Sequence, residues 1–249
     1  MSAPASTRLD LRMLADRLVG SRARARDLIL RGFVMVDGVP CTKPAQTVAA
    51  GASVTLATGT PEFVSRGAEK LQAALEAFGF DPSGRVAMDA GASTGGFTQV
   101  LLKRGAKHVY AVDVGRAQLH DGLRSDARVT SIEEFDIRQI SASHVGAPIE
   151  VLVADLSFIS LTKALDAAMK LASRGAFLVA LIKPQFELTP ADIGKGGIVR
   201  DETARARAVE NVRAFVEQQP GWRVCGVVVS PIAGGSGNEE FLLGAVKDV

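Results

Sequence analysis

The sequence predicts an α/β fold: a doubly wound, mostly parallel seven-stranded sheet preceded by a small α+β domain. Three observations carry this prediction. Beyond residue 62, apolar strand candidates alternate with helix candidates. Those strands read as near-continuous apolar runs, the pattern of strands covered on both faces. The first 56 residues have another rhythm, two short basic helices followed by small strands.

In the head, 9–18 reads as a helix, with Leu11, Leu14, Ala15 and Leu18 at helical spacing. Ser21 is the N-cap of a second helix over 22–30, closed by Gly32. Val34-Met35-Val36 and Val39 flank Asp37-Gly38, a two-residue hairpin signal. A further strand covers 53–56, and 57–62 has linker composition. In the body, strands are expected at 85–88, 108–112, 128–132, 149–154, 175–182, 223–229 and 241–246. Helices are expected at 68–78, 96–104, 161–172 and 202–218. The last two strands have no helix between them, so an antiparallel pair is expected there. The organisation is a head over 1–56, a linker over 57–62 and a body over 63–249.

Composition narrows the function. With 47% hydrophobic and 22% charged residues, the chain is globular and not disordered. Cys41 and Cys225 form no CxxC or Cys/His cluster, which excludes zinc fingers, iron–sulfur sites and disulfide scaffolds; both read as structural. No apolar leader opens the chain, and the stretch 176–182 is far short of the roughly 18–20 residues a membrane span needs. A cytoplasmic protein without membrane or metal partners is expected. The net charge of +2 hides an asymmetry: residues 1–60 hold eight basic and four acidic residues, and the rest 21 against 23. A basic head suits a polyanion, unless its arginines are only a solvated helix face.

The segment Asp89-Ala90-Gly91-Ala92-Ser93-Thr94-Gly95-Gly96-Phe97 follows the first body strand and opens a helix. Glycines there let a ligand approach the backbone. Phe97 stands where a P-loop has Lys, and the spacing is not GxGxxG. Asp113 ends the next strand, where a carboxylate can hydrogen-bond a ribose. A dinucleotide or S-adenosylmethionine fits, and Asp89 favours the latter, whose ammonium group needs a carboxylate. Asp155 and Lys183 end later strands, at the edge where open α/β sheets bind ligands. Lys70 and Glu240 are unremarkable taken alone.

The strings SRGAEKL, DAGASTGGFTQVLL, YAVDVG, ADLSFISL, LIKPQFE, GKGGIVRD and SPIAGGSGNEEFLL resemble the TlyA family of ribosomal RNA methyltransferases across nearly the whole chain. The head is similar to the RNA-binding module named after ribosomal protein S four, and the body to the Rossmann-like FtsJ ribose 2′-O-methyltransferase fold. The resemblance implies a catalytic tetrad of Lys70, Asp155, Lys183 and Glu240, with Glu239 as a neighbour that could replace the last. It implies an S-adenosylmethionine site with Asp89, Gly91, Ser93, Thr94, Gly95 and Asp113. Asp136 would face the adenine or, on the alternative, cap a helix. The implied partner is ribosomal RNA or a ribosomal subunit, and a monomer is expected.

A ribose hydroxyl must lose its proton as it attacks the sulfonium methyl. Lysine, at about 10.4, suits that role as a base only if burial or a second cation perturbs it. Lys183 is therefore expected to be the base or the orienter of the hydroxyl, with Lys70 as the neighbouring cation. Asp155 would position Lys183, and Glu240 would position Lys70. Arg8, Arg12, Arg22, Arg24, Arg26 and Arg31 are expected to dock the RNA, with Arg66, Lys103, Arg104 and Lys107 as the alternative surface. The resemblance implies cytidine ribose of large-subunit RNA, small-subunit RNA or both. Family members of broader specificity tend to be longer at both ends, and this sequence stops soon after its last apolar strand, so large-subunit RNA alone is the expected target.

Three rivals are weighed. Base N-methyltransferases carry an Asp/Asn-Pro-Pro-aromatic turn, whereas Asp155-Leu156-Ser157-Phe158 lacks both prolines. A haemolysin, the label some family members carry, would need a membrane-active segment that the sequence does not offer. A non-catalytic RNA binder has no need of the tetrad.

Overall fold

The computed structural model describes residues 6–234 and 237–249. It divides into two compact units, Met1–Arg66 and Gly67–Val249.

The first unit contains β1 (Thr7–Arg8), α1 (Leu9–Ala15), α2 (Arg22–Leu30), β2 (Val34–Val36), β3 (Val39–Pro40), β4 (Thr47–Val48) and β5 (Val54–Leu56). Strands β3, β2 and β5 form an antiparallel sheet, and β1 pairs with β4. Leu9, Met13, Leu28, Ile29, Val34 and Val54 close its core. Helix α2 has the predicted bounds because the Ser21 hydroxyl accepts the Arg24 N–H at 3.2 Å. The Asp37-Gly38 turn has φ of 49° and 78°, the left-handed pair that a tight hairpin requires. Helix α1 is shorter than expected. Arg17 turns left-handed at φ 57°, and the Leu18 N–H reaches back to the Met13 carbonyl, which ends the helix.

The second unit contains α3 (Gly67–Phe78), β6 (Val86–Ala90), α4 (Gly96–Lys103), β7 (His108–Val112), α5 (Asp121–Arg124), β8 (Val129–Ile132) and β9 (Ile149–Ala154). It continues with α6 (Leu161–Ala164), α7 (Asp166–Lys170), β10 (Ala172–Ile182), α8 (Pro184–Glu187), α9 (Glu202–Gln218), β11 (Trp222–Val229) and β12 (Phe241–Lys247). The sheet runs β11-β12-β10-β9-β6-β7-β8. Strands β8, β7, β6, β9 and β10 are parallel, and β12 inserts antiparallel between β10 and β11. The expected pairing of the last two strands is present. The helix expected over 161–172 is two short helices, and Ala172 already pairs with Ile149 ahead of a bulge in β10. Cys41 is buried as expected, but Cys225 is exposed: it lies on the edge strand β11, where one face meets solvent. Among the described residues, no helix is long and apolar enough to cross a membrane.

Candidate active site

The parallel strands deliver their following loops to one edge of the sheet. Asp89 lies inside β6 rather than in the loop, fully buried. Its Oδ2 accepts the Thr98 N–H at 2.9 Å and the Thr98 hydroxyl at 2.7 Å, whereas Oδ1 has no partner among the described residues. Burial pushes its pKa up to about 7, opposed by the Thr98 bonds and aided by the Asp155 and Asp113 charges. Gly91, at φ 85°, admits no side chain: a Cβ would lie 2.6 Å from the Asp155 carbonyl oxygen. At Gly95, φ 96°, a Cβ would sit 2.3 Å from Leu123.

The loop after β7 is stitched to this glycine loop. Asp113 accepts the Ser93 N–H on Oδ2 at 2.8 Å and the Gly115 N–H on Oδ1 at 2.7 Å. The Ser93 hydroxyl donates to Gln118 at 3.2 Å, and the His120 N–H donates to the Thr94 carbonyl at 3.3 Å. Glu133, which sequence reasoning missed, organises the same loop. Its carboxylate accepts the N–H groups of Ala117, Gln118 and Leu119 at 3.1, 2.8 and 3.1 Å. Burial alone would raise its pKa, but these donors and Arg124 outweigh burial and hold it below the ordinary value. Its position just past β8, at the ligand edge of the sheet, was the available signal. Asp136 caps the turn Ile137–Gln139 by accepting the Arg138 N–H at 3.0 Å and pairs with the Arg138 side chain. That is the capping alternative the sequence left open.

Two ion pairs occupy the same edge. Lys183 Nζ lies 2.6 Å from Asp155 Oδ1 and donates to the Ser157 hydroxyl at 2.8 Å. Lys70, from α3, meets Glu240 in a fully buried pair. The β10–β12 ladder ends at Ile182↔Phe241, so Lys183 and Glu240 leave it side by side. Glu239 points elsewhere: it is part-exposed and pairs with Arg205 at 3.2 Å. Gly234 has to be small, because a Cβ there would lie 2.3 Å from Glu240 Oε1. Buried Asn238 accepts the Val199 N–H at 2.9 Å and donates to the Gly197 carbonyl at 2.8 Å, tying the GKGGIVRD segment to this loop. Gly235 and Ser236 of the SPIAGGSGNEEFLL string lie outside the described residues. Phe158 was also missed. It is 91% exposed at φ 65°, with its ring 5.2 Å from that of Phe186.

The head arginines divide. Arg8 and Arg22 flank the buried Asp10. Arg12 pairs with Asp16 at 2.6 Å and donates to the Ala50 carbonyl at 2.9 Å. Arg31 lies over the Phe33 ring, and Arg26 is exposed. Arg24 corrects the expectation: it is buried against Asp27 and the Pro61 carbonyl, so it cannot belong to a docking surface. Of the alternative surface, Lys103, Arg104 and Lys107 sit where α4 ends and β7 begins. That is the amino edge of the sheet, opposite the two ion pairs.

Comparison with known proteins places the chain. Residues 63–247 match the FtsJ-like methyltransferase model, and residues 7–54 match the S4 domain. A Mycobacterium tuberculosis protein named 16S/23S rRNA (cytidine-2′-O)-methyltransferase TlyA is 47% identical, over 95% of this chain and 88% of its own length. A Brachyspira hyodysenteriae protein named Hemolysin A is 41% identical, over 94% and 98%. A solved Streptococcus thermophilus structure that carries a hemolysin name is 38% identical with a TM-score of 0.78, covering 99% of this chain and 90% of that one. This chain belongs to the FtsJ-like methyltransferase family, among the TlyA proteins that join an S4 domain to it.

Proposed function

We propose that this enzyme transfers a methyl group from S-adenosylmethionine to a ribose 2′-hydroxyl of ribosomal RNA, with cytidine as the target nucleoside. The observation that carries the reading is the pair of buried lysine–carboxylate contacts at the ligand edge, Lys183–Asp155 and Lys70–Glu240. The unpartnered Asp89 Oδ1 and the two side-chain-free glycines beside it fit the cofactor. Asp89 offers a buried anion to an ammonium group. Asp113 keeps acceptor capacity for ribose hydroxyls beyond its two backbone bonds.

S-adenosylmethionine, when bound, supplies an electrophilic methyl group on a sulfonium. The chain's own residues do the rest. Lys183, fixed between β10 and the rigid Pro184, is held by Asp155 and Ser157 and presents an N–H to the 2′-oxygen. That bond sets the in-line approach on which much of the rate depends. As the 2′-oxygen attacks, Lys183 hands one ammonium proton to Asp155, takes the departing 2′-proton on the lone pair this frees, and Asp155 releases its proton to solvent. Lys70, neutralised by Glu240, completes the polar wall. Asp155 is already engaged by Lys183, which argues against the turn holding an exocyclic amine of a base. Mass spectrometry of nucleosides from treated ribosomal subunits tests the assignment. The methyl group is expected on cytidine ribose, and a methyl on a base overturns it. Assays on both purified subunits identify the substrate.

Phe158 offers an exposed aromatic face next to Phe186, whose own ring lies 6.0 Å from Lys183 Nζ, and is suited to stacking a nucleobase. Phe158→Ala is expected to lower methyl transfer by about tenfold or more while cofactor affinity stays constant. Unchanged turnover would remove the stacking role.

Asp89 gives cofactor binding a pH signature. Below about 7 its carboxyl holds a proton that has to leave before it can pair with an ammonium group. Affinity is therefore expected to fall up to about tenfold per pH unit below 7, with proton release on binding. Above about 8 the ligand's own amino group discharges, so affinity peaks between the two. Calorimetry in buffers of different ionisation enthalpy measures the proton count, and zero release at pH 6 would contradict the pairing.

A further inference from the structure

We propose that buried Asp10 is a positioning residue that locks Arg8 and Arg22 into a two-guanidinium clamp for a phosphodiester group of the RNA. The proposal rests on the RNA-docking reading of the head. Asp10 has no exposed surface. Arg8 grips it as a fork, Nε to Oδ1 and Nη2 to Oδ2, both at 3.0 Å. Arg22 adds Nε to Oδ2 at 3.0 Å. The Arg8 bonds first, then those of Arg22, hold the carboxyl at about 2 despite burial, so it is an anion at any working pH.

The arginines themselves are not buried: their side chains are 43% and 48% exposed. Asp10 takes one edge of each guanidinium and leaves the other N–H donors open to a ligand. The frame is rigid. Arg8 pairs with Thr47 across β1–β4, and the Asp10 N–H bonds the Pro44 carbonyl at 3.1 Å. Arg22 is the first residue of α2, behind the Ser21 cap. Two planar donors held in place, with one net positive charge, match a phosphate oxygen pair without freezing long side chains at the moment of binding. A buried carboxylate between two arginines is a poor way to gain stability, since apolar packing does as well. Its distinctive product is the geometry of the two cations.

Asp10→Asn separates this role from simple charge. Removing an anion from an RNA-facing surface should tighten binding if charge alone matters. Loss of the lock should weaken it. The expected result is about tenfold weaker binding of the full chain to purified ribosomal subunits, with unchanged S-adenosylmethionine affinity. In an Arg8→Ala/Arg22→Ala background, Asp10→Asn should have no further effect. Equal or tighter binding by a folded Asp10→Asn protein overturns the proposal. If that variant melts the head, Arg8→Lys/Arg22→Lys decides, because it keeps both charges and loses the fork. Weakened binding then supports the clamp, and undiminished binding overturns it. If Arg8→Ala/Arg22→Ala leaves affinity and salt dependence untouched, the docking reading fails, and the clamp with it.

Discussion

Lys183→Met is expected to abolish methyl transfer to ribosomal RNA, with a loss of about 10²–10⁴-fold in rate, while S-adenosylmethionine binds as before. Its side-chain partners are Asp155 and Ser157, and Asp155 meets the glycine loop through its backbone carbonyl rather than through the carboxylate that holds Lys183. Met fills similar volume, so the sheet should persist. The Asp155 side chain it strands is 24% exposed but its Oδ1 is buried, so some loss of stability is expected beside the loss of turnover. Single-turnover assays on ribosomal subunits, with calorimetry for the cofactor, check both halves. Retained turnover would remove Lys183 from the chemistry. Lost cofactor binding would move its role to the cofactor site.

Glu240→Ala is expected to cost stability as well as activity. It leaves the Lys70 ammonium buried without its counter-charge, and breaking such a pair by removing one partner costs about 3–5 kcal/mol. Replacing both partners, Lys70→Met with Glu240→Leu, should restore most of that stability and none of the activity. Urea unfolding and turnover on the same three proteins make the comparison. A Glu240→Ala protein as stable as the parent would mean that Lys70 finds water or another anion. An active double variant would make the pair structural only.

Much of this was legible before the structure. The strands of the parallel sheet are covered on both faces and therefore announce themselves as apolar runs. Ser21 caps α2 at the bound its position predicts, and α9 covers the expected 202–218 behind an Asp201 cap that the structure adds. The strand pair β1–β4 was not legible, because two residues per strand carry no periodicity. Asp89 and the loop glycines stand together in sequence, whereas Lys70 and Glu240 are joined only by the last strand's place in the sheet. Arg24 was misread for a reason that helix geometry supplies. At about 100° per residue, Arg22 and Arg26 share a face and Arg24 lies on the other. Three arginines at alternate positions are never one surface of a helix. Ser157 and Phe158 were hidden because a turn's φ values and exposure are not written in residue type.

The antiparallel insertion of β12 has a consequence for when the enzyme becomes an enzyme. In chain order β12 is the last strand, yet in the sheet it lies inside, and the hydrogen-bonded ladder from β10 to β11 runs through it. A nascent chain that has made every other strand holds an incomplete sheet, with β11 unpaired and Lys70 lacking its anion. Completion of the fold and completion of the proposed tetrad are therefore one event. The ribosome that translates this chain meets no working active site in it until nearly the whole catalytic unit has been made.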